Sequence, residues 1–339
     1  MSQSENPLSR RQVIGGLAAA ALVSLSARGV RAAAPPVKRG IIDVHAHFQP
    51  PAIRSLNLPG PMNAWSLEKQ IEDMDTAGVA RALLSVTTPG VPSTGDVARR
   101  IARETNEYAA KLAADHGKRF GFFLCLPMDN LDAALAEMAH GFDVLKAHGV
   151  GLLTSYSGSY LGDPRFDPLF AELNRRKAVA YVHPTNAACC TQLLPGIPDT
   201  VVEYGTDTTR AIASYVYRGA ARRYPDVKMI WSHSGGTMPH LIERFDFIDR
   251  SGQSRQQAPD GFRASAARFW YDIAQASNPV ATRALRTVVP MERIVFGTDY
   301  PFRTSLEHVQ GLEEGKVFSR RELTSVYHAN VEARLPELV

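Results

Sequence analysis

The chain has 339 residues, 45% hydrophobic and 21% charged, which is ordinary globular composition and enough apolar material for one large core. Its formal charge is +4 and its pI about 9.0, but four arginines and one glutamate lie in the first 32 residues, and the rest carries 34 basic against 33 acidic residues. No basic arm or Lys/Arg stripe is left to neutralise a phosphate backbone, which excludes nucleic-acid binding as a role.

Residues 1–34 read as an export signal. Ser9-Arg10-Arg11-Gln12-Val13-Ile14 leads into an uncharged stretch over residues 13–26, followed by small residues at 32–34. The twin arginine resembles a twin-arginine signal, with Val13 where Phe is usual, and implies a periplasmic protein exported already folded. Cleavage after Ala32 is favoured over Ala34, because Pro35 follows the second site. At ~1.5 Å per residue the apolar stretch reaches about 21 Å, short of the ~30 Å hydrocarbon core, so no permanent membrane span is expected after cleavage.

Beyond a Pro-containing linker, short apolar runs alternate with amphipathic stretches. Strands are expected near 41–45, 81–86, 120–126, 150–154, 179–183, 228–232, 269–274 and 293–297. Helical patterns lie near 66–77, 96–116, 131–148, 166–177, 206–224, 237–249, 279–288 and 305–314, with a last helix near 320–335 outside the barrel. Eight strands buried on both faces and alternating with helices predict a parallel α/β architecture, a single TIM (β/α)8 barrel over residues 35–339. Two long connections, residues 48–65 with four prolines and residues 185–201, should hang over its mouth. Arg54, the only cation of the first, is a candidate substrate contact; the second is uncharged until Asp199. Thr206-Asp207-Thr208-Thr209-Arg210 is expected to start a helix, with Thr206 or Asp207 as its cap and Arg210 near the mouth.

Four of the apolar runs end in metal-capable side chains: His45-Ala46-His47, His183, His233 and Asp299. The C-terminal ends of all barrel strands meet at one mouth, where active sites of this fold sit. Side chains alternate along a strand, so His45 and His47 share a side and can reach one ion. His45, His47, His183 and Asp299 would then hold one divalent metal. Zinc is the first choice for imidazole and carboxylate ligands with an open position, and manganese the second. Gly151-Leu152-Leu153-Thr154 lacks the lysine that, as a carbamate, bridges two metals in many barrel hydrolases, so a single metal is expected.

His233, in Trp231-Ser232-His233-Ser234-Gly235-Gly236, is read as an acid/base group beside the metal; a fifth ligand or a packed core histidine are the other readings. Asp299 is read as both ligand and proton carrier. His116, His140, His148, His240, His308 and His328 are read as structural or solvated, Cys125 as a small core residue, and Cys189-Cys190 as two ordinary loop thiols in place of a vicinal disulfide.

Val44-His45-Ala46-His47, Met74-Asp75-x-x-Gly78-Val79, His183-Pro184, His233-x-Gly235-Gly236 and Gly297-Thr298-Asp299-Tyr300-Pro301-Phe302 occur together and in order. With them the chain, from about residue 41 onward, resembles the amidohydrolase superfamily in its aminocarboxymuconate-semialdehyde-decarboxylase-like branch. Leu84-Ser85-Val86-Thr87-Thr88-Pro89-Gly90, Tyr160-Leu161-Gly162, His183-Pro184-Thr185 and Ser277-Asn278-Pro279 place the likeness nearest the 6-methylsalicylate decarboxylases. The resemblance implies His45, His47, His183 and Asp299 as metal ligands and His233 as the catalytic histidine. Arg244 matches a position where the semialdehyde enzyme uses an arginine from a neighbouring subunit, which implies a substrate contact and a homodimer. That enzyme's other substrate-binding arginine has no counterpart in residues 48–65, which turns the expectation from a dicarboxylate to a monocarboxylic aromatic acid. The implied activity is metal-dependent, non-oxidative decarboxylation of a small ortho-hydroxy aromatic acid such as 6-methylsalicylate, with Asp299 or His233 delivering the proton. A lactone or amide hydrolase on the same barrel is the alternative.

Overall fold

All eight expected apolar runs form strands: β1 (Ile41–His47), β2 (Val79–Ser85), β3 (Phe120–Leu124), β4 (Gly149–Leu153), β5 (Val179–His183), β6 (Lys228–Trp231), β7 (Trp270–Asp272) and β8 (Ile294–Val295). They are seen in a computed structural model that describes residues 40–58 and 60–339. The export-signal expectation over residues 1–34 lies outside the described residues. The strands pair in chain order, each parallel to the next. The ring closes between β1 and the segment after β8, where Val44 N donates to Phe296 O at 3.0 Å and His47 N to Tyr300 O at 2.8 Å. The fold is thus a TIM barrel.

A helix follows every strand: α1 (Leu67–Ala77), α2 (Gly95–Asp115), α3 (Leu131–Asp143), α4 (Asp167–Arg176), α5 (Glu203–Tyr217), α6 (Ile242–Ser251), α7 (Pro279–Arg286) and α8 (Ser305–Gly315). Local chemistry sets several ends. Ser66 caps α1 through Lys69 N, Gly78 ends it in the left-handed region, and Thr304 with Glu307 forms a capping box on α8. One start differs from expectation. α5 begins at Glu203, so Thr206 and Asp207 sit within the helix instead of capping it. The reason is tertiary, because the buried Asp207 carboxylate accepts from Tyr160 Oη at 2.6 Å, from Thr154 Oγ1 and from Thr185 N.

Cys189 and Cys190 also differ from expectation. They are bonded to one another on a short 3-10 turn, Ala188–Cys190, whose backbone sets the two adjacent sulfurs side by side.

Alternate strand residues face inward, and Ile42, Val44, Leu83, Phe123, Tyr181 and Ile230 form the barrel's interior cluster. Tyr181 stacks on Phe123 with ring centroids 5.3 Å apart. Val331, Leu335 and Leu338 of the C-terminal segment join this cluster and plug the end opposite the mouth. Arg81 locks that plug. Its Nε donates to Leu338 O at 2.8 Å, Nη1 donates to Lys118 O at 3.0 Å, and Nη2 lies 2.6 Å from His148 Nε2. Burial and the Arg81 charge push His148 down to about 4, so it accepts from the guanidinium as a neutral ring. Arg81→Met leaves two carbonyls and the imidazole without their donor. We expect a loss of about 2–3 kcal/mol, read as a lower urea midpoint; an unchanged midpoint would remove Arg81 from this role.

Candidate metal centre

β1 changes parity to build the site. Ile42 and Val44 belong to the interior cluster, yet His45 and His47 also reach the mouth, because the pairing of β1 with β2 is irregular between Asp43 and Ala46. His183 ends β5, and Asp299 follows β8, its backbone N donating to His45 O at 2.8 Å. Barrel closure therefore carries Asp299 directly onto the histidines.

Each strand-end histidine has one ring nitrogen tied down. His45 Nδ1 donates to Asp272 Oδ2 at 2.9 Å, His183 Nδ1 to Pro184 O at 2.8 Å, and His47 Nδ1 lies 3.0 Å from Ser85 Oγ and 3.3 Å from Ser85 O. With Nδ1 so occupied, Nε2 is the nitrogen each ring would offer a metal in its neutral form. Those three Nε2 atoms point at one oxygen: Asp299 Oδ1 is 3.3 Å from His45, 3.0 Å from His47 and 4.0 Å from His183. Oδ1 is buried and has no hydrogen-bond partner. Ligand atoms at ~2.0–2.1 Å around a tetrahedral cation stand about 3.3 Å apart, so the donor set fits one divalent metal.

Electrostatics agree. Burial works against charge on His45, but Asp272 and Asp299 outweigh it and hold its pKa up to about 10. Burial keeps His183 well below its usual value. For Asp299 burial would raise the carboxyl, yet the His45 charge and a hydrogen bond from His233 hold it well below the usual carboxylate range. Two carboxylates thus call for positive charge at this point, and a cation that displaced the His45 proton would supply it.

His233 is placed differently. Its Nε2 lies 3.3 Å from Oδ2, the other oxygen of Asp299, and its Nδ1 is buried without a partner. Among the described residues, one group of potential ligand atoms lies within 4.8 Å of each other, and it comprises His45, His183, His233 and Asp299. His47 adjoins it, its Nε2 3.1 Å from that of His45. All five expected residues therefore meet, with the two oxygens of Asp299 separating His233 from the rest.

A cavity of about 780 Å³ opens onto the site, reaching His183, His233 and Asp299. Neither Arg54 nor Arg244 lines it. The Arg54 guanidinium donates to Trp65 O at 2.9 Å, which ties the segment after β1 together. Arg244 is exposed on α6. Gly236 serves backbone packing: a Cβ there would fall 1.9 Å from Gly205 O on α5.

Sequence reasoning missed two residues. Asp272 is fully buried and accepts from His45 Nδ1, from His233 N at 2.9 Å and from Ala274 N at 3.0 Å. It ends β7, so the same rule that found Asp299 would have found it. Gln275 donates to Asp299 Oδ2 at 3.0 Å, and its backbone N donates to His308 Nε2 at 3.0 Å. It stands, like His233 and Asp299, in the left-handed region, which nothing in the local sequence signals. Asp272→Asn should weaken metal binding about 10- to 100-fold in a chelator-competition titration; unaltered affinity would show that His45 needs no such orientation.

Comparison with known proteins agrees with this arrangement. The amidohydrolase family profile (Amidohydro_2) matches residues 42–333. A decarboxylase of Aspergillus niger, yanB, is 34% identical over 283 residues, covering 77% of each chain. The 6-methylsalicylic acid decarboxylase of Penicillium expansum is 34% identical over 77% of this chain and 84% of its own. Among solved structures, a 2,6-dihydroxybenzoate decarboxylase complexed with 2,6-dihydroxybenzoate superposes with a TM-score of 0.77 at 21% identity, over 87% of this chain and 98% of its own. A dihydroxybenzoic acid decarboxylase from Polaromonas sp. JS666, with bound manganese and 2-nitroresorcinol, superposes with a TM-score of 0.74 at 19% identity, over 88% and 97%. With its motifs, its barrel and a family match across nearly all the described residues, the chain belongs to the amidohydrolase family.

Proposed function

We propose that the chain is a metal-dependent, non-oxidative decarboxylase of an ortho-hydroxy aromatic monocarboxylic acid. The observation that carries this is the charge of the cavity: among the described residues its lining includes no Lys or Arg, and Asp299 is the only carboxylate. A dicarboxylate would leave one anionic group unpaired there, whereas a single carboxylate with a neighbouring phenol needs only the metal centre. The named activity of the Penicillium expansum relative supports the reading.

A divalent cation held by His45, His47, His183 and Asp299 supplies positive charge for the substrate's carboxylate and phenolic oxygens. The donor set favours zinc; the manganese in the Polaromonas structure makes that ion the competitor. The protein's own part is proton transfer. His233 and Asp299 Oδ2 face each other, and both residues line the cavity. This pair delivers a proton to the ring carbon that bears the carboxylate. The bond from that carbon to the carboxylate then breaks, its electron pair returns to the ring, and carbon dioxide leaves with aromaticity restored. Gln275 also donates to Oδ2, which helps keep Asp299 in place while the charge moves. Tyr204, whose ring centroid lies 5.7 Å from that of His183, and Phe302, 6.0 Å from that of His47, flank the space above the cluster.

Carbon dioxide release from salicylates, including 6-methylsalicylate, tests the reading with zinc- and manganese-loaded protein. Activity is expected with one of the metals, lost on chelation and restored by the same ion. His233→Ala should lower kcat by about 10²- to 10⁴-fold while metal content stays the same. Hydrolysis of lactones or amides by the same preparation, with no acid decarboxylated, would overturn it.

We also propose export to the periplasm through the twin-arginine route, supported by Arg10-Arg11 and the uncharged stretch behind it. In cell fractionation the intact chain should appear in the periplasm and the double variant Arg10→Lys, Arg11→Lys in the cytoplasm. Cytoplasmic retention of both would rule the signal out.

A further inference from the structure

The cavity is far larger than the acid proposed for it. A salicylate ring with one methyl group takes about 200 Å³ at the packing density of protein interiors, against about 780 Å³ of cavity. The remaining space has a mixed wall, with Gln49, Thr200, Thr237 and His240 on its polar parts and an apolar patch beside them. The polar side chains tied to the metal cluster are few: Gln275 bonds Asp299, Thr88 Oγ1 lies 3.4 Å from His183 Nδ1, and Tyr204 packs on His183. Elsewhere the segment after β1 contributes Ile53, Leu58 and Met62 to the lining. Arg54, the one charge in that segment, is not among the lining residues and fastens the segment through Trp65 O. The segment after β5 contributes Val201, which lines the cavity while being 68% exposed, so the apolar lining runs out to solvent. The same segment leaves Leu193, Leu194 and Ile197 about half exposed.

Water filling such a space against Ile53, Leu58 and Met62 is unfavourable, and an apolar group displacing it gains free energy in proportion to the area covered. Taking the decarboxylase reading of this site as its basis, we infer that the cavity contains an apolar subsite beside the metal centre, formed by Ile53, Leu58, Met62 and Val201. It accepts a ring substituent much larger than methyl, and the preferred substrate is an alkyl- or aryl-substituted ortho-hydroxy aromatic acid carrying a single negative charge. The open rim at Val201 lets such a chain extend beyond the cavity, so the subsite limits polarity more than length.

The test uses the metal-loaded full chain and salicylates bearing methyl, butyl or hexyl at the same ring position. KM should fall about threefold per added methylene while the chain is being buried, with kcat little altered, so that kcat/KM for the hexyl acid exceeds that for the methyl acid at least tenfold. Val201→Asp, at an exposed position whose change cannot empty the core, should remove most of that ratio. Equal or lower kcat/KM for the hexyl acid overturns the subsite and leaves the decarboxylase standing. Calorimetric binding of the same acids separates the remaining case. If no acid is turned over but affinity rises with chain length, the decarboxylase reading falls and the apolar subsite stands. Affinity that is flat along the series overturns the subsite whatever the turnover.

Discussion

The seam that closes the barrel is also the wall of the metal centre, and the rest of the site depends on it. His45 O accepts from both Thr298 N at 3.2 Å and Asp299 N at 2.8 Å, and Thr298 Oγ1 donates to Asp43 Oδ2 at 2.6 Å. These bonds join the first strand to the end of the last, and one of them, Asp299 N to His45 O, runs directly between two of the expected ligand residues. Closing the ring and bringing Asp299 to His45 and His47 are therefore one event. A fold that failed to close would lose this carboxylate from the histidine cluster, leaving Asp272 alone to balance the buried imidazoles. Asp43 shows what burial at this seam costs: desolvation pushes its carboxyl up to about 7 even with its hydrogen bonds from Thr298 and His45.

What was legible in the sequence follows from the same geometry. A parallel barrel brings every strand's C-terminal end to one mouth, so an apolar run ending in histidine or aspartate is informative wherever it occurs in the chain. His45, His47, His183, His233 and Asp299 were found that way, although Asp272, which obeys the same rule, was passed over. The rest depended on tertiary contacts that no local pattern carries. Asp207 looked like a helix cap because Asp caps helices, but its partners are Thr154 and Tyr160, some 50 residues earlier in the chain. Arg54 looked like a substrate contact as the only cation of its segment, and the carbonyl that takes its guanidinium lies eleven residues on, at Trp65. The left-handed backbone at His233, Gln275 and Asp299 is imposed by the ends of β6, β7 and β8, where the chain must turn its side chains into the mouth.

Thr154 sets a second limit on the chemistry. It stands just past β4, the position from which a carbamylated lysine would bridge two metals in the hydrolases of this architecture. Here its hydroxyl donates to buried Asp207 and also accepts from Thr185 N at 3.1 Å. That position is thereby committed to holding the start of the segment after β5 against α5. Among the described residues the one group of potential ligand atoms draws nothing from β4, which fits the expectation of a single metal.

Asp299 has to serve two neighbours. Its Oδ1 faces three imidazoles whose other nitrogens are fixed by Asp272, Ser85 and Pro184. Its Oδ2 faces His233 and Gln275 on the cavity side. A carboxylate shared in this way couples the two halves electrostatically, because charge drawn from one oxygen changes the basicity of the other. A cation held at Oδ1 would therefore be felt at the His233 side of the carboxylate without any side chain moving. Asp272 reinforces the coupling from behind, since it takes both the His45 ring N–H and the His233 backbone N–H. One buried carboxylate thus orients the His45 ring and the backbone of His233 together. The precision of the site therefore comes from two aspartates on neighbouring strand ends, held at a fixed spacing by β7–β8 pairing, more than from the histidines that first drew attention to it.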